Sequence, residues 1–204
     1  MTRRITVLLV GWLLVGVCVS VLIRIDLGVS PYDVLNTAIG RWLDIQPGTA
    51  AWISAVLLLG AALALGERPG VATFGGAFAV GALVNLGLAL LPDALPMALR
   101  IGLIPPLLLL LYLGVCCIIL LSLGAGPTEV FQLALVRHGM SLNVSRWVIE
   151  AGCALVGAVL GGAIGLMTMV MVVGAGPFIA ALMPRVSART GLPIPGTATA
   201  PVTP

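Results

Sequence analysis

Six long apolar runs, separated by short polar stretches, set the pattern of hydrophobic and polar positions along this chain. A helix needs about 20 mostly apolar residues to cross the hydrocarbon core of a bilayer, and each run approaches that length. Polar residues confined to the connections are typical of transmembrane helices rather than of a soluble core. The sequence therefore predicts spans over residues 5–23, 49–66, 71–91, 101–123, 144–160 and 166–183.

A shorter helix is predicted between the first two spans, over residues 31–43. Ser30 is suited to the N-cap, Pro31 to the first helical position, and Asp33 to the first turn, where an acid favours the helix dipole. Gly28 allows a sharp bend into this turn, and Gly40 is expected to end the helix. A helix of this length cannot span, so it either lies flat at the membrane interface or re-enters the membrane.

The same stretch returns 96 positions later, at residues 123–130, ahead of a second predicted short helix over residues 127–139. Self-similarity at a nearly fixed spacing indicates an internal duplication. Other pairs follow at an offset of 95, including Gly70 with Gly165 and Thr73 with Thr168. The matched positions of the two helix starts are Gly28 and Gly124, Ser30 and Gly126, Pro31 and Pro127, Asp33 and Glu129, and Asn36 and Gln132.

Two repeats are therefore predicted, residues 1–95 and residues 96–184, each with three spans and one short helix. Three is an odd number, so the second copy enters the membrane from the opposite side. The expected fold is all-α, with six transmembrane helices arranged as two inverted three-helix repeats. Inverted repeats recur in secondary transporters, whose binding sites lie between the repeats.

The arginines predict the orientation of the chain in the membrane. If the N-terminus is cytoplasmic, seven of the ten arginines lie on the cytoplasmic side and three on the outer side. Because positive residues accumulate in cytoplasmic loops, both termini are expected in the cytoplasm. Residues 185–204 are rich in Pro, Thr, Ala and Gly and lack an apolar period, which predicts a disordered cytoplasmic tail.

Composition supports a membrane protein and argues against several other classes. The 204 residues are 60% hydrophobic and 8% charged, whereas soluble domains carry about 25% charge. The net charge of +3 does not indicate a nucleic-acid partner in such a chain. A nucleotide-binding glycine loop, a catalytic triad and metal-ligand spacing are all missing from the sequence, so no enzyme, cofactor or metal is expected.

Polar residues at the starts of the two short helices are candidates for binding a substrate or an ion. They are the acids Asp33 and Glu129, the amides Asn36 and Gln132, and the hydroxyl of Ser30. If both helices point their N-termini at one cavity, these groups and the free backbone N–H groups could bind a polar solute or a proton. The alternative is that the acids only cap their helices.

Arg146 and Glu150 are the second candidate pair, four residues apart on one face of the fifth span. An ionisable group within a span is costly, so it is a functional candidate by default. The alternative is an ion pair that neutralises itself. The first repeat has Ala50 and Ser54 at the matching positions, so the pair is asymmetric. Small residues at intervals of four in the third and fifth spans fit either tight packing within the bundle or dimerisation.

These motifs resemble a family of bacterial membrane proteins. The paired Gly-x-x-Pro-x-acid stretches, Arg146-x-x-x-Glu150, Gly165-x-x-Thr168 and Gly176-Pro177 together resemble the YczE-like family, related to the wider YitT group, over residues 5–184. The resemblance implies a multi-pass protein of the bacterial cytoplasmic (inner) membrane, without an established biochemical activity. Gly126 departs from the side-chain cap that Ser30 provides, which weakens strict equivalence of the two stretches.

The expected function is that of a small-solute transporter or permease-like protein. Two alternatives stay open: a non-transporting membrane partner that regulates or assembles another protein, and a substrate-binding subunit of a multi-component transporter. The expected partners are the lipid bilayer and a small-molecule substrate, with a homodimer or a membrane partner protein as further options. No nucleic acid is expected.

Overall fold

The computed structural model describes residues 2–121 and 126–194, which form eight α-helices. Six of them are long and apolar enough to cross a membrane, so the prediction of six spans and two short helices is confirmed. The protein is therefore a multi-pass membrane protein. In chain order the helices are α1 (Thr2–Ile25), α2 (Pro31–Leu43), α3 (Pro47–Ala64), α4 (Val71–Leu90), α5 (Met97–Leu121), α6 (Pro127–Arg137), α7 (Leu142–Val159) and α8 (Leu166–Thr190).

The range predicted for α2, residues 31–43, is confirmed, whereas the residue expected to end it and the predicted end of α6 differ from the observed ones. Helix α2 continues through Gly40, and Asp44 ends it in a left-handed conformation with φ of 53°. The prediction that Gly40 ends the helix is wrong, because Gly40 serves packing instead. A Cβ atom at Gly40 would lie 3.0 Å from the carbonyl oxygen of Ile45, where the chain turns back over the helix. Helix α6 ends at Arg137, two residues before Gly139.

The predicted disordered tail is wrong at its start. Helix α8 continues to Thr190 and ends at Gly191, which has a φ of 59°. Val186 and Leu192 are buried in a cluster with the end of α5, and this packing holds the segment in place. Residues 195–204 lie outside the described residues.

The eight helices pack as two groups. In the first group α1 and α5 lie against each other, with α4 on α1 and α8 on α5. In the second group α2 and α6 each contact both α3 and α7, which closes a ring of four helices. Contact between α3 and α4 joins the groups. The main core lies around α1 and includes Cys18, Leu22, Leu111 and Met171.

Glycines allow several of these helices to approach closely. A Cβ atom at Gly11 of α1 would lie 3.1 Å from the carbonyl oxygen of Gly114 in α5. At Gly81 of α4 it would lie 2.7 Å from the carbonyl oxygen of Gly48 in α3. Gly157 of α7 packs directly on the backbone of α2. Small residues at these positions thus serve packing within the chain.

The two ends of the described chain lie at the same end of the bundle. Nη2 of Arg3 donates a hydrogen bond of 3.4 Å to the carbonyl oxygen of Arg189. This arrangement is what an even number of spans requires.

Candidate functional site

The segment that leads into α2 is bound to the connection between α7 and α8. Gly28 has a φ of 106°, and a Cβ atom there would lie 2.7 Å from the backbone nitrogen of Gly165. The backbone N–H of Met167 donates to the carbonyl oxygen of Leu27 at 3.0 Å. Gly28 therefore permits both the bend and the close passage of two backbone segments. Its predicted counterpart, Gly124, lies outside the described residues.

Side chains at the start of α2 form a small hydrogen-bonded network around Asp33. The Ser30 hydroxyl donates to Asp33 Oδ2 at 2.5 Å and accepts from the Asp33 backbone N–H at 3.3 Å. Nδ2 of Asn36 donates to Asp33 Oδ1 at 3.4 Å, and Asn36 Oδ1 has no hydrogen-bond partner in the part of the chain that the structure describes. Desolvation raises the pKa of the Asp33 carboxyl above its ordinary value, although the two side-chain hydrogen bonds act in the opposite direction.

Protein surrounds most of α2. Successive residues of an α-helix are rotated by about 100°, so the buried positions of α2 spread over more than half of its circumference, and the remaining side carries Leu35, Ile39 and Trp42. Helix α6 differs, since only Val130 and Ala134 are buried, on a single face. The buried residues of α2 are Pro31, Val34, Asn36, Thr37, Ala38 and Gly40.

The start of α6 is more open than that of α2. Gly126 provides no side-chain cap, and Glu129 is exposed. The hydroxyl of Thr128 donates to Glu129 Oε2 at 2.9 Å. Nε2 of Gln132 donates to the carbonyl oxygen of Leu142 at 2.8 Å, so this amide also ties α6 to the start of α7.

Arg146 and Glu150 form an ion pair within α7. Nε of Arg146 lies 2.8 Å from Glu150 Oε1, with the two side chains 43% and 28% exposed. Neither side chain is deeply buried, and the two opposite charges are paired on one helix. Both side chains also line the cavity described next.

One cavity of about 460 Å³ brings the predicted polar residues together. All eight helices contribute to its wall. Gly126 and the helix-entry prolines Pro31 and Pro127 line it as well. The predicted binding residues that face this space are Ser30, Asp33, Asn36, Glu129, Gln132, Arg146 and Glu150.

The apolar wall of the cavity also comes from matched positions of the two halves, and these positions were not predicted. The offsets of 96 and 95 residues, applied to the long helices as well as to the short ones, would have identified these pairs. At an offset of 96, the pairs on α1 and α5 are Val15 and Leu111, Val19 and Val115, and Ile23 and Ile119. At an offset of 95, the pairs on α4 and α8 are Gly76 and Met171, Ala77 and Val172, Val80 and Ala175, and Val84 and Ile179.

Thr73 also lines the cavity, although the sequence had indicated only that it matches Thr168 at an offset of 95. The Thr168 hydroxyl accepts from the Gly165 backbone N–H at 3.2 Å. The Thr73 hydroxyl is buried and has no hydrogen-bond partner among the described residues. The aromatic rings of Trp12 and Tyr112 complete this side of the cavity.

These features define a multi-pass helical membrane protein with a cavity lined by all eight described helices. Residues 2–184 match DUF6198, a family of unknown function, and the chain belongs to this family. It is 28% identical over 182 residues to an uncharacterized protein of Haemophilus influenzae, with 87% of this chain and 82% of that protein covered. No solved structure matches. The YczE-like resemblance stays a prediction beside this family membership.

Proposed function

We propose that this protein is a small-solute transporter or permease that works by alternating access around the central cavity. The observation that carries the proposal is the cavity itself, with polar groups from the starts of α2 and α6 and an apolar wall from matched positions. Discontinuous helices that point their N-termini at a site between two repeats are a recurring design of secondary transporters. No catalytic step is part of the proposal.

The packing of the helices supports an inverted repeat. If α1 to α4 are exchanged with α5 to α8, the contact of α1 with α4 becomes that of α5 with α8. Under the same exchange, the contact between α2 and α7 becomes the contact between α6 and α3. The contact between α2 and α3 becomes the contact between α6 and α7. The contact of α1 with α5 maps onto itself. Such a map is expected of two copies related by a two-fold axis.

Two matched arginines add to this support. Nη1 of Arg41, near the end of α2, donates to the carbonyl oxygen of Gly161 in the connection between α7 and α8. Arg137, at the end of α6, pairs with Glu67 at 2.8 Å in the connection between α3 and α4. Each short helix is thus fastened at its end to the last connection of the other proposed repeat.

One contact breaks the symmetry, and we assign it a role in the transport cycle. Helices α3 and α4 pack extensively, whereas α7 and α8 have no comparable contact. The backbone N–H of Gly48 donates to Asn85 Oδ1 at 2.8 Å, and Asn85 Nδ2 donates to the Thr49 hydroxyl at 2.9 Å. In inverted-repeat transporters, alternating access is largely a rocking or gating of one repeat against the other around the fixed site. The proposed cycle therefore opens α3 from α4 while α7 closes on α8.

Uptake into proteoliposomes tests the transport function. Purified protein is reconstituted, exposed to a defined mixture of small metabolites, and the vesicle contents are identified by mass spectrometry against protein-free vesicles. Accumulation of a solute supports transport. Binding without accumulation would favour a binding subunit of a larger transporter. If the protein neither binds nor accumulates a solute, the non-transporting partner is favoured, and co-purification from native membrane would reveal the protein it accompanies.

A crosslink tests the proposed cycle. Cysteines replace Thr49 and Asn85 in a chain whose four native cysteines have been removed, so that oxidation joins α3 to α4. We expect the crosslinked protein to lose uptake and reduction to restore it. Each single-cysteine variant under the same oxidant is the control. Full uptake with the crosslink intact would contradict opening at this contact.

A further inference from the structure

We propose that the transported solute is a small organic cation, a protonated amine with an apolar body, bound between Asp33 and Glu129. This inference rests on the proposed function and names its class of substrate. It depends on three features of the cavity: its charges, two buried polar atoms without partners, and its apolar wall.

The charged groups of the cavity leave two carboxylates without a cationic partner. Among the described residues that line it, the charged ones are Asp33, Glu129, Glu150 and Arg146. Arg146 is paired with Glu150, and neither Asp33 nor Glu129 is in a salt bridge in the described part of the chain. An anion entering this space would meet two carboxylates without a cationic partner among the described residues, whereas a cation would be attracted to both and would offset the cost of burying Asp33.

Two buried polar atoms add an independent sign of a ligand. Asn36 is 2% exposed and Thr73 is 3% exposed, and both line the cavity. Asn36 Oδ1 and Thr73 Oγ1 have no hydrogen-bond partner within the described ranges. Because Nδ2 of Asn36 is directed at Asp33, the free atom is an acceptor. An ammonium group carries several N–H donors and can satisfy such acceptors together with a carboxylate.

The rest of the wall fits an apolar body rather than a bare metal ion. Metal cations such as calcium take six or more oxygen ligands, whereas this wall is made mainly of aliphatic side chains with Trp12 and Tyr112. A volume of about 460 Å³ falls in the range of small-molecule sites. Aromatic rings also attract organic cations through their faces.

Binding of three probes that share one aromatic body tests the charge preference. They are 2-phenylethylamine, which is a cation at pH 7, the neutral 2-phenylethanol, and the anion phenylacetate. Affinities are measured by calorimetry on the full chain in nanodiscs. We expect the amine to bind at least tenfold more tightly than the alcohol, and phenylacetate to bind most weakly. An affinity for the amine no greater than that for the alcohol would overturn the proposal.

Charge-removing variants assign the preference to the two acids. Asp33→Asn combined with Glu129→Gln preserves side-chain shape and should bring the affinity for the amine down to that for the alcohol. Asp93→Asn is the control for loss of a carboxylate elsewhere, because it removes one such charge from a side chain that is 96% exposed, pairs with Arg24 and lies outside the cavity. Unchanged affinity for the amine in the double variant, with a normal unfolding transition, would overturn the assignment.

Uptake measurements separate failure of this inference from failure of the proposed function. A preference for the amine without uptake into proteoliposomes would contradict transport and leave the cation site in place. Uptake of neutral or anionic solutes without a preference for the amine would contradict the cation site and leave transport in place.

Discussion

Replacing Gly157 with alanine tests the contact that encloses α2. A Cβ atom at residue 157 would lie 2.7 Å from the backbone nitrogen of Leu35 and 2.7 Å from the carbonyl carbon of Val34, against 3.4 Å or more for an ordinary contact. Both atoms are backbone, so no side chain can rotate away and α2 must shift. Because Val34 follows Asp33 directly, the shift also displaces the site. Gly152 lies on the same helix with nothing within 4 Å of its Cβ position and provides the matched control.

The magnitude follows from two opposing effects. Either substitution removes a glycine from a helix and gains up to about 1 kcal/mol. Overpacking costs about 1–3 kcal/mol, and a clash with backbone belongs to the upper half of that range. Gly152→Ala should therefore leave stability equal or raise it slightly. Gly157→Ala should lower the free energy of unfolding by about 1–2 kcal/mol relative to the unmodified protein, after the gain and the cost are combined.

Reversible unfolding in mixed detergent micelles, followed by circular dichroism, measures both variants. Equal free energies of unfolding for Gly157→Ala and Gly152→Ala would show that α2 does not lie against Gly157. That result would also contradict the close packing of α7 on α2.

Three further expectations concern the ion pair, the buried hydroxyl and the topology. Glu150→Ala should lower solute uptake more than Arg146→Ala at equal expression. Without its partner the long Arg146 side chain can turn to the interface, so that the cavity loses both charges, whereas the shorter Glu150 side chain stays in the cavity when Arg146 is lost. Unchanged uptake in both variants would assign the pair a structural role. Thr73→Val should change the free energy of unfolding by no more than about 0.5 kcal/mol, whereas Thr168→Val leaves a backbone N–H without its acceptor and should cost about 1 kcal/mol. Chemical denaturation measures the free energy of unfolding of both variants. A greater loss of stability for Thr73→Val than for Thr168→Val would contradict a Thr73 hydroxyl without a hydrogen-bond partner among the described residues. A reporter fused after Arg189 should be cytoplasmic, since the arginines favour that side; external activity would reverse the orientation.

Local sequence determined which segments span the membrane and where the two short helices begin. A backbone that crosses a bilayer must satisfy its hydrogen bonds within the segment, so apolar length alone identifies a spanning helix. Caps also act over a few residues, and the short helices start at Pro31 and Pro127 as their flanking residues predict. The repeated offset between Asp33 and Glu129 further indicated which polar residues would line one cavity.

Packing decided what local signals could not. Gly40 was expected to end α2, but the helix continues to Leu43 and is capped by Asp44. Gly40 instead lets the chain at Ile45 pack closely against the helix. Helix α8 continues past its apolar run because Val186 is buried in a cluster with residues of α5.

The cavity is also a product of tertiary structure. Thr73 is distant in sequence from the start of α2. Only the packing of α1 and α4 with the ring of α2, α3, α6 and α7 brings Thr73 to the same cavity as Asn36. Whether a polar atom finds a partner depends on every helix around it, which no local pattern encodes. The sequence alone therefore determined a membrane protein with two matched polar helix starts, and the tertiary structure placed them around one cavity because long-range packing sets which side chains meet.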